Sequence, residues 1–473
     1  MHNENTFPVL DECSKADFGD KRLTNRLVRL SELISKRPDD SFPDAAGCVA
    51  DLEATYRFLG NQKVTPEKIL APHIEATARR MKGIERTVVA HDSTKLLFGG
   101  KSRREEIGSL NQGNQGFLGH VALAIDRGTL VRPLGVLGIN TLFRHGKAKK
   151  NERRGGKKDP KRESLKWWGL VKEVEGKLSA DTNPIHVMDR EADDYELFSN
   201  LCGAQMRFVI RIKQDRSSYK EFGKTEKKKL FELIDTMQDI AQREIFLSNR
   251  AYDRLAARRP GFKPRGARKA TVKIAAGTIK IPRPIHCPDN GVAFLFLNFV
   301  HVYEVNTPTG EEAIDWKLVT GEPINVQQDV LNIVDDYRAR WMIEEYFKAL
   351  KTGCSYEKRQ LESKETLLNA LAVLAPIAWQ LLVLRSVSRQ HPEASSQYAL
   401  SLNQIKLLRA VSKKPLPEIP TIAQALLAVA ALGGHIPNNG DPGWIVLGRG
   451  MERFLTMEIA WNAALNMERC DQS

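Results

Sequence analysis

Two short apolar runs that each end on an aspartate constrain the fold of this 473-residue chain more than any other feature. Thr87–Asp92 reads TVVAHD, and Pro184–Asp189 reads PIHVMD. Each run predicts a short strand that is buried on both faces and stops at a carboxylate. Between them, Gly119–Asp126 and Thr129–Asn140 predict two strands around an Asp-Arg-Gly turn, and residues 163–178 look helical. Strands, a helix and a further strand in this order predict a mixed α/β sheet.

The pattern changes between about residue 215 and residue 325. Thr271–Ala275, Thr278–Pro282 and Val292–Val305 are strand-like, with a turn predicted at Gly277. We interpret this segment as a β-rich block inserted into the α/β domain. Helical patterns return at about residue 328 and continue through most of the C-terminal hundred residues.

Near the N-terminus, residues 20–37 predict a basic amphipathic helix that begins after Asp20 and ends before Pro38. Its apolar stripe contains Leu23, Leu27, Leu30 and Ile34. Its opposite face carries Lys21, Arg22, Asn25, Arg26 and Arg29. This face is either simply solvated or a surface that binds a polyanion, and the pattern alone leaves both open.

The charge balance favours a polyanionic partner. The chain has 72 Lys and Arg against 58 Asp and Glu, a net charge of +14, and its pI is about 9.4. Charge does not separate DNA from RNA or from a membrane surface. Two basic segments, 147–162 and 250–269, are either solvated loops or phosphate-binding loops, and their occurrence together favours phosphate binding.

The composition also excludes several classes of protein. The 42% hydrophobic and 27% charged residues are those of a globular protein, not a disordered, collagenous or membrane-barrel chain. Six scattered cysteines without a C-x-x-C pair give no disulfide scaffold or thiolate zinc site and fit a reducing cytosol. The apolar stretch 367–384 is interrupted by polar residues, so a buried helix is favoured over a membrane span and the protein is expected to be soluble.

The most informative segment is Asp336–Gly353, which predicts one amphipathic helix. At about 100° per residue, four polar residues fall within roughly 60° of one another beside an apolar stripe. These residues are Tyr337, Arg340, Glu344 and Lys351. The alternative is an ordinary surface helix with ion pairs such as Glu344–Lys348.

This segment, written Y-x2-R-x3-E-x6-K, resembles the signature of DDE transposases, and most closely that of the insertion-sequence-four family of bacterial cut-and-paste enzymes. Asp92 in HDSTKL and Asp189 in MDREADDYELF match the first and second acidic residues of that family, in order. The opening FGDKRLTNRL, the segment DWKLVTGEP and the C-terminal Pro-Gly-Trp also match, so the resemblance spans almost the whole chain.

The resemblance implies a fold with an RNase H-like catalytic core. The expected organisation is a helical N-terminal DNA-end-binding domain at 1–70 and the RNase H-like catalytic domain at 71–375. The β-rich insertion at about 215–325 interrupts that core, and a helical dimerisation region occupies 376–473.

The resemblance also implies that Asp92, Asp189 and Glu344 are the catalytic residues and the ligands of two Mg2+ ions, with Mn2+ as a substitute. The chemistry agrees, since phosphodiester cleavage needs an activated water and a stabilised leaving oxyanion, which two divalent ions about 3.5–4 Å apart can supply. Carboxylate oxygens are the ligands that such hard cations prefer. Taken singly, each aspartate could instead cap a turn or a helix.

Further positions match residues that contact DNA in the family. By resemblance, Tyr337, Arg340 and Lys351 hold phosphates near the cut, with Lys348 beside them. Trp316 would stack on a base flipped out of the duplex, although plain core packing is its alternative, and Arg211 would lie near that base. Arg22 and Arg26 belong to the matched N-terminal segment.

The resemblance implies a transposase that cuts transposon ends, forms and opens a hairpin, and joins the 3′ ends to target DNA. Its partners would be the double-stranded terminal inverted repeats and the target, bound by a homodimer in the synaptic complex. The expected location is the bacterial cytoplasm, at the nucleoid when the enzyme acts. Two alternatives remain open: an RNase H-like nuclease without strand transfer, and a catalytically silent DNA-binding derivative.

Overall fold

The fold was analysed in a computed structural model. It describes residues 8–36, 38, 40–46, 48–99, 104, 106–110, 114–128, 131–144, 165–220, 227–247, 266–285, 287, 292–436 and 441–471. The chain forms two compact units. The first contains Met1–Ala148, Lys172–Thr182 and Trp341–Ser473, and the second contains Lys149–Val171 and Asn183–Arg340.

Helices open the first unit. They are α1 (Pro8–Cys13), α2 (Lys21–Lys36), α3 (Phe42–Ala45), α4 (Val49–Leu59) and α5 (Pro66–Met81). The amphipathic helix predicted over 20–37 is α2, and its apolar residues Leu27, Leu30 and Ile34 are buried. The backbone N–H of Arg22 donates to the Asp20 carboxylate at 3.0 Å, as expected of an aspartate that caps a helix.

Three strands of the first unit form an antiparallel meander. Strand β1 (Thr87–Phe98) pairs with β3 (Asn114–Asp126), which also pairs with β4 (Arg132–Leu142) and the short β2 (Ser109–Leu110). The prediction that the first strand stops at Asp92 is wrong. Because β3 offers a partner to every residue from Thr87 to Phe98, β1 continues for six residues beyond the aspartate.

Buried His73 joins three elements of the first unit. Its Nε2 accepts a hydrogen bond from the backbone N–H of Val136 on β4 at 3.0 Å, so the proton lies on Nδ1, which donates to Glu12 of α1 at 2.6 Å. Arg80 of α5 also bonds to Glu12 and to the carbonyl of Leu134. These bonds join α1 to α5 and β4. They also give both the carboxylate of Glu12 and the guanidinium of Arg80 a hydrogen-bonded partner, as charges removed from water require.

Helices also close the first unit. Short α10 (Met342–Lys348) continues into a π-helical turn (Ala349–Gly353) and is followed by α11 (Lys364–Gln390), α12 (Leu402–Val411), α13 (Ile422–Leu432) and α14 (Trp444–Asp471). Helix α11 is long and apolar enough to cross a membrane, but 94% of its most apolar window is buried inside the protein. It packs on α5 and β4, in agreement with the buried helix predicted for this stretch.

The second unit contains the insertion. Strands β5 (Ile185–Met188) and β6 (Arg207–Arg211) are parallel and are connected through α7 (Tyr195–Gly203). The sheet runs in the order β5-β6-β12-β11-β10-β7-β8, with β9 on β10. Its other elements are β7 (Ser217–Lys220), β8 (Lys228–Lys229), α8 (Leu230–Asp235), β9 (Asp239–Leu247), β10 (Arg268–Pro282), β11 (Phe294–Glu304), β12 (Asp315–Thr320) and α9 (Gln327–Ala339). Helix α6 (Lys166–Glu175) contains the boundary between the two units.

The turn predicted at Gly277 is wrong. Strand β10 runs unbroken through this glycine, which pairs with Phe299 of β11. The basic segment 147–162 and most of 250–269 lie outside the described residues. Arg268, at the end of the second segment, lies on β10 and pairs with Glu304 and Glu311, so it belongs to the sheet and not to a loop.

The predicted fold class is confirmed. The chain is a mixed α/β protein with a β-rich insertion and helical N- and C-terminal regions. An antiparallel meander followed by a helix and a parallel strand pair agrees with the mixed α/β sheet predicted from the sequence. The predicted domain boundaries at residues 70 and 375 both lie inside the first compact unit, and they stay a prediction.

Candidate catalytic site and nucleic-acid interface

Asp92 lies in the middle of a fully paired strand. Val88, Val89 and Ala90 before it are completely buried, whereas Asp92 itself is half-buried. Its Oδ1 accepts a hydrogen bond from the backbone N–H of Ser93 at 2.7 Å. Because β1 pairs with β3 both before and after Asp92, the backbone that carries this carboxylate is held in place.

Two histidines near Asp92 were not singled out from the sequence. His91 precedes it and His120 stands on β3, and their ring centroids are 6.1 Å apart in the core. His120 Nδ1 is 2.9 Å from the hydroxyl of Ser93. The HDST segment contains His91 and Ser93, but His120 lies 27 residues from Ser93 and is brought there only by strand pairing.

Glu344 lies in the first turn of α10. This helix buries Ile343, Tyr346 and Phe347 and packs against β1. Glu344 is half-buried. Asp92 and Glu344 therefore stand on two elements that pack against each other within the first unit.

The single helix predicted over 336–353 is wrong. Helix α9 ends at Ala339, α10 begins at Met342, and the segment finishes in a π-helical turn from Ala349 to Gly353. The boundary between the compact units falls between Arg340 and Trp341. A count of 100° per residue assumes one regular helix and does not hold across this break and a π turn.

The side chain of Lys351 reaches the strand that carries Asp92. Its Nζ donates to the backbone carbonyl of Lys95 at 2.5 Å and lies 3.7 Å from Glu357. Glu357 accepts a hydrogen bond from the N–H of Leu97 at 2.8 Å. Lys95 is three residues from Asp92, about 10 Å along an extended strand. The structure thus places the ammonium predicted to hold a phosphate on the strand of the first carboxylate.

Lys348 is engaged with a neighbour on its own helix. Its Nζ is 2.5 Å from Glu345 in an i,i+3 pair, instead of the i,i+4 pair with Glu344 considered from the sequence. Glu345 also lies 3.9 Å from Arg389 of α11. Lys348 is about half exposed, and its ammonium is held on its own helix, whereas that of Lys351 is bonded to β1. We therefore expect Lys348 to contribute less to DNA binding than Lys351.

Asp189 follows the buried strand β5 in the second unit. It caps a 3-10 turn (Arg190–Ala192), where its Oδ1 accepts a hydrogen bond from the N–H of Glu191 at 2.8 Å. The local geometry is thus the turn that the sequence offered as an alternative. A carboxylate has about four lone-pair sites, so this bond leaves acceptor capacity for a cation.

Four of the residues predicted to contact DNA belong to the second unit. Trp316 on β12 is half-buried and meets Tyr337 of α9 edge-on, with ring centroids 5.6 Å apart. The guanidinium of Arg340 lies 5.8 Å from the ring of Tyr337. Tyr337 and Arg340 are 7% and 8% exposed. The structure therefore brings an indole, a phenol and a guanidinium into one cluster, which we call the Trp316 cluster.

Arg211 supports the same strand. It pairs with Leu318 of β12, and its Nη2 donates to the carbonyl of Asp315 at 2.9 Å. His301 and Lys317, which bond to the Asp315 carboxylate, hold its pKa far below the usual range. Arg211 and this ion group fix the chain on either side of Trp316.

The two arginines of α2 differ in their surroundings. Arg22 is almost fully exposed, and within the described residues its one ion pair is with Asp20, at 3.2 Å. Arg26 lies 3.2 Å from Asp51 of α4, which Arg29 also contacts. Arg29 and Arg26 lower the pKa of Asp51, with Arg29 contributing most. Arg22 is therefore available to a phosphate, whereas Arg26 also joins two helices.

The predicted ligands fit a hard divalent cation. All three offer carboxylate oxygens and are half-buried, so each combines a fixed position with access to solvent. Among the residues that the structure describes, Asp194, Glu196 and Cys287 also lie within ligand distance of one another. Asp194 Oδ1 accepts from the N–H of Glu196 as the cap of α7, which explains that group without a metal.

Two protein-family models match this chain. Residues 9–64 match the family described as Transposase DNA-binding, and residues 84–379 match the family described as Transposase DDE domain. A cryo-EM structure of piggyBac transposase in a synaptic complex with hairpin DNA is 12% identical, with 82% of this chain and 74% of that chain covered. Its TM-score is 0.35.

The match to the DDE domain covers more than half of the chain and includes all three predicted carboxylates. The chain therefore belongs to the DDE transposases. It is a DNA-binding transposase, of a class of enzymes that generally use divalent metal ions.

Proposed function

We propose that this protein is a cut-and-paste transposase of the insertion-sequence-four family. It hydrolyses a phosphodiester at each transposon end, converts the cut end to a hairpin, opens it and joins the 3′ end to target DNA. The observation that carries the proposal is the arrangement in the first unit. Asp92 lies on β1, Glu344 lies on a helix packed against β1, and the ammonium of Lys351 is bonded to a backbone carbonyl of β1, so two carboxylates and a cation lie on or against one strand.

In this proposal Asp92, Asp189 and Glu344 hold two Mg2+ ions, for which Mn2+ substitutes. The ions would supply an activated water and stabilise the leaving oxyanion. Lys351 would hold a phosphate oxygen beside Asp92, since its charge is fixed at the strand by the carbonyl of Lys95.

The Trp316 cluster supports the hairpin step. Hairpin closure requires a base to leave the stack, which costs a few kcal/mol. A half-buried indole whose edge is fixed by Tyr337 offers a face on which that base can stack. Arg340, buried beside Tyr337, would bind the adjoining phosphate.

The partners we propose are the two terminal inverted repeats, the target duplex and a second copy of this chain. Two ends must be cut and joined together, so a homodimer is the simplest synaptic complex. The proposed location is the bacterial cytoplasm, at the nucleoid during the reaction.

The test is incubation of the intact protein with a labelled transposon-end duplex, a supercoiled target plasmid and Mg2+. We expect nicked, hairpin and joined products in sequence. Glu344→Gln should give none of them, whereas Glu345→Gln, a change to the adjacent carboxylate, should retain all three. Cleavage without joining would favour the nuclease alternative, and tight binding without cleavage by the intact protein would favour the silent derivative.

A further inference from the structure

One cluster of the β-rich insertion, in which two exposed phenylalanines lie beside a half-buried tyrosine and a half-buried lysine, is not used by the proposed reaction. Tyr219 of β7, Lys280 of β10, and Phe294 and Phe296 of β11 lie on neighbouring strands, and we call them the aromatic platform. Lys280 is directly opposite Tyr219 on one side and Phe296 on the other. Phe294 is two residues from Phe296 and therefore points to the same face.

The two phenylalanine rings of the platform are not core residues. Phe294 and Phe296 are 42% and 48% exposed. The residues that alternate with them, Leu295 and Leu297, fill the hydrophobic core on the opposite face. The sheet would keep its core without either phenylalanine ring, so its stability does not account for them. Exposed aromatic residues grouped on one face mark a binding surface more often than scattered ones do.

Lys280 is surrounded by the rings. Its Nζ lies 3.9 Å from the ring centroid of Phe294, 5.8 Å from that of Phe296 and 6.0 Å from that of Tyr219. Within the described part of the chain, no carboxylate forms an ion pair with Lys280. Other lysines of β10 differ, since Lys269 pairs with Glu244 and Lys273 pairs with Asp239. The platform therefore carries a positive charge that no described acidic group neutralises.

We infer that the aromatic platform binds unpaired DNA bases, with Lys280 holding a phosphate between them. Every base has a π-face, so stacking on aromatic rings beside a cation is the usual way to bind single strands without sequence preference. A symmetric contact with a second copy is disfavoured, because it would bring the uncompensated Lys280 of each copy close together.

The platform is separate from the Trp316 cluster. Trp316 pairs with Val302 of β11, six residues from Phe296 and about 20 Å away along the strand. The two surfaces would bind different nucleotides of an opened end. The inference rests on the proposed function only in its source of unpaired DNA, the transposon end or its flank.

The test measures the affinity of the full chain for one oligonucleotide, as a single strand and as a blunt duplex, by fluorescence anisotropy. Phe294→Ala/Phe296→Ala should weaken single-strand binding by about tenfold or more. Blunt-duplex binding should stay within about twofold. Phe246→Ala, which removes a ring that is 64% exposed on β9, should leave both affinities unchanged.

The charge is tested in the same assay. Lys280→Gln should weaken single-strand binding and reduce the slope of log K against log salt by about 0.7. Lys269→Gln is the matched control on the same strand, because its ammonium is ion-paired. Equal thermal midpoints for all variants would show that the fold is intact.

Two results would overturn the inference. One is single-strand binding by the double phenylalanine variant within about twofold of the unchanged protein. The other is a protein that is dimeric through this face and becomes monomeric in the variant. Failure of the proposed function is read separately, as absence of cleavage of a transposon-end duplex by the unchanged protein.

Discussion

The ammonium of Lys351 donates a hydrogen bond to the backbone carbonyl of Lys95, three residues along the strand from Asp92. This bond joins the C-terminal end of the Y-x2-R-x3-E-x6-K pattern to the strand of the first carboxylate, although 256 residues separate the two partners. Because the carbonyl holds the ammonium in place, its charge can act on a phosphate with little loss of side-chain entropy.

Lys351→Gln should therefore lower end cleavage by about 10- to 100-fold, the loss expected when one charge-assisted hydrogen bond is removed. The rate is measured on a labelled end duplex at saturating Mg2+. Lys348→Gln is the control and should have a much smaller effect, since the Lys348 ammonium is held on its own helix, whereas that of Lys351 is bonded to β1. Equal losses in the two variants would show that general basic charge, and not the position of Lys351, matters.

Trp316→Ala should separate nicking from hairpin formation. Loss of a stacked base costs about 1–3 kcal/mol, so the hairpin yield should fall by about 5- to 150-fold while the first nick persists. Products are resolved on a denaturing gel, and Trp316→Phe should restore part of the yield. Trp341→Ala, a change at an indole that is 54% exposed, should not alter the ratio. Normal hairpin yield in Trp316→Ala would assign this indole to packing alone.

Arg22→Ala should weaken binding of end DNA and reduce the slope of log K against log salt by about 0.9, as expected for one lost phosphate contact. Its thermal midpoint should not change, because Arg22 is exposed and its ion pair with Asp20 lies at the surface. Arg26→Ala should in addition lower the midpoint, since it removes a contact with Asp51 of α4. Unchanged binding in Arg22→Ala would leave the exposed face of α2 merely solvated.

His73 should make the first unit sensitive to acid. Burial lowers the pKa of His73 from 6.5 to about 3. The unfolded chain therefore binds a proton between these values that the folded chain does not. Stability is full above pH 6.5 and falls by about 1.4 kcal/mol for each pH unit below it. Urea unfolding at pH 7, 6 and 5 measures this slope.

His73→Gln is the control for that experiment. Its amide can offer one donor to Glu12 and one acceptor to Val136, the two bonds that the neutral imidazole makes. The variant should be less stable at pH 7 but lose less stability on acidification. A slope identical to that of the unchanged protein would mean that His73 does not account for the acid sensitivity.

The local patterns predicted the elements of the fold well where burial decides them. Helix α2, the strand pair β3 and β4, and the buried helix α11 follow directly from spacing and apolar content. The sequence predicts too short a strand β1 because the polar run Ser93–Lys95 interrupts its apolar pattern. Pairing with β3, a contact between distant residues, carries the strand through that run. Gly277 by itself favours a turn, but pairing with the distant Phe299 keeps it in a continuous strand.

The candidate site was predictable in composition but not in arrangement. The helix break at Arg340 and Trp341 has no proline or glycine to signal it, so a helical count placed Tyr337 and Glu344 on one stripe. Likewise, no local pattern links His120 to Ser93 or Glu12 to His73, because these bonds depend on how strands and helices pack. The assignment of the three carboxylates as a metal site stays a prediction that needs a direct test.

That test is Mg2+-dependent cleavage of a labelled transposon-end duplex by four proteins: the unchanged chain, Asp92→Asn, Asp189→Asn and Glu344→Gln. DNA binding by all four is measured first, in Ca2+, to show that each variant is folded and bound. The account predicts cleavage by the unchanged chain alone. Cleavage by any one of the three variants at the unchanged rate would contradict it, because the substituted carboxylate would then not belong to the catalytic site.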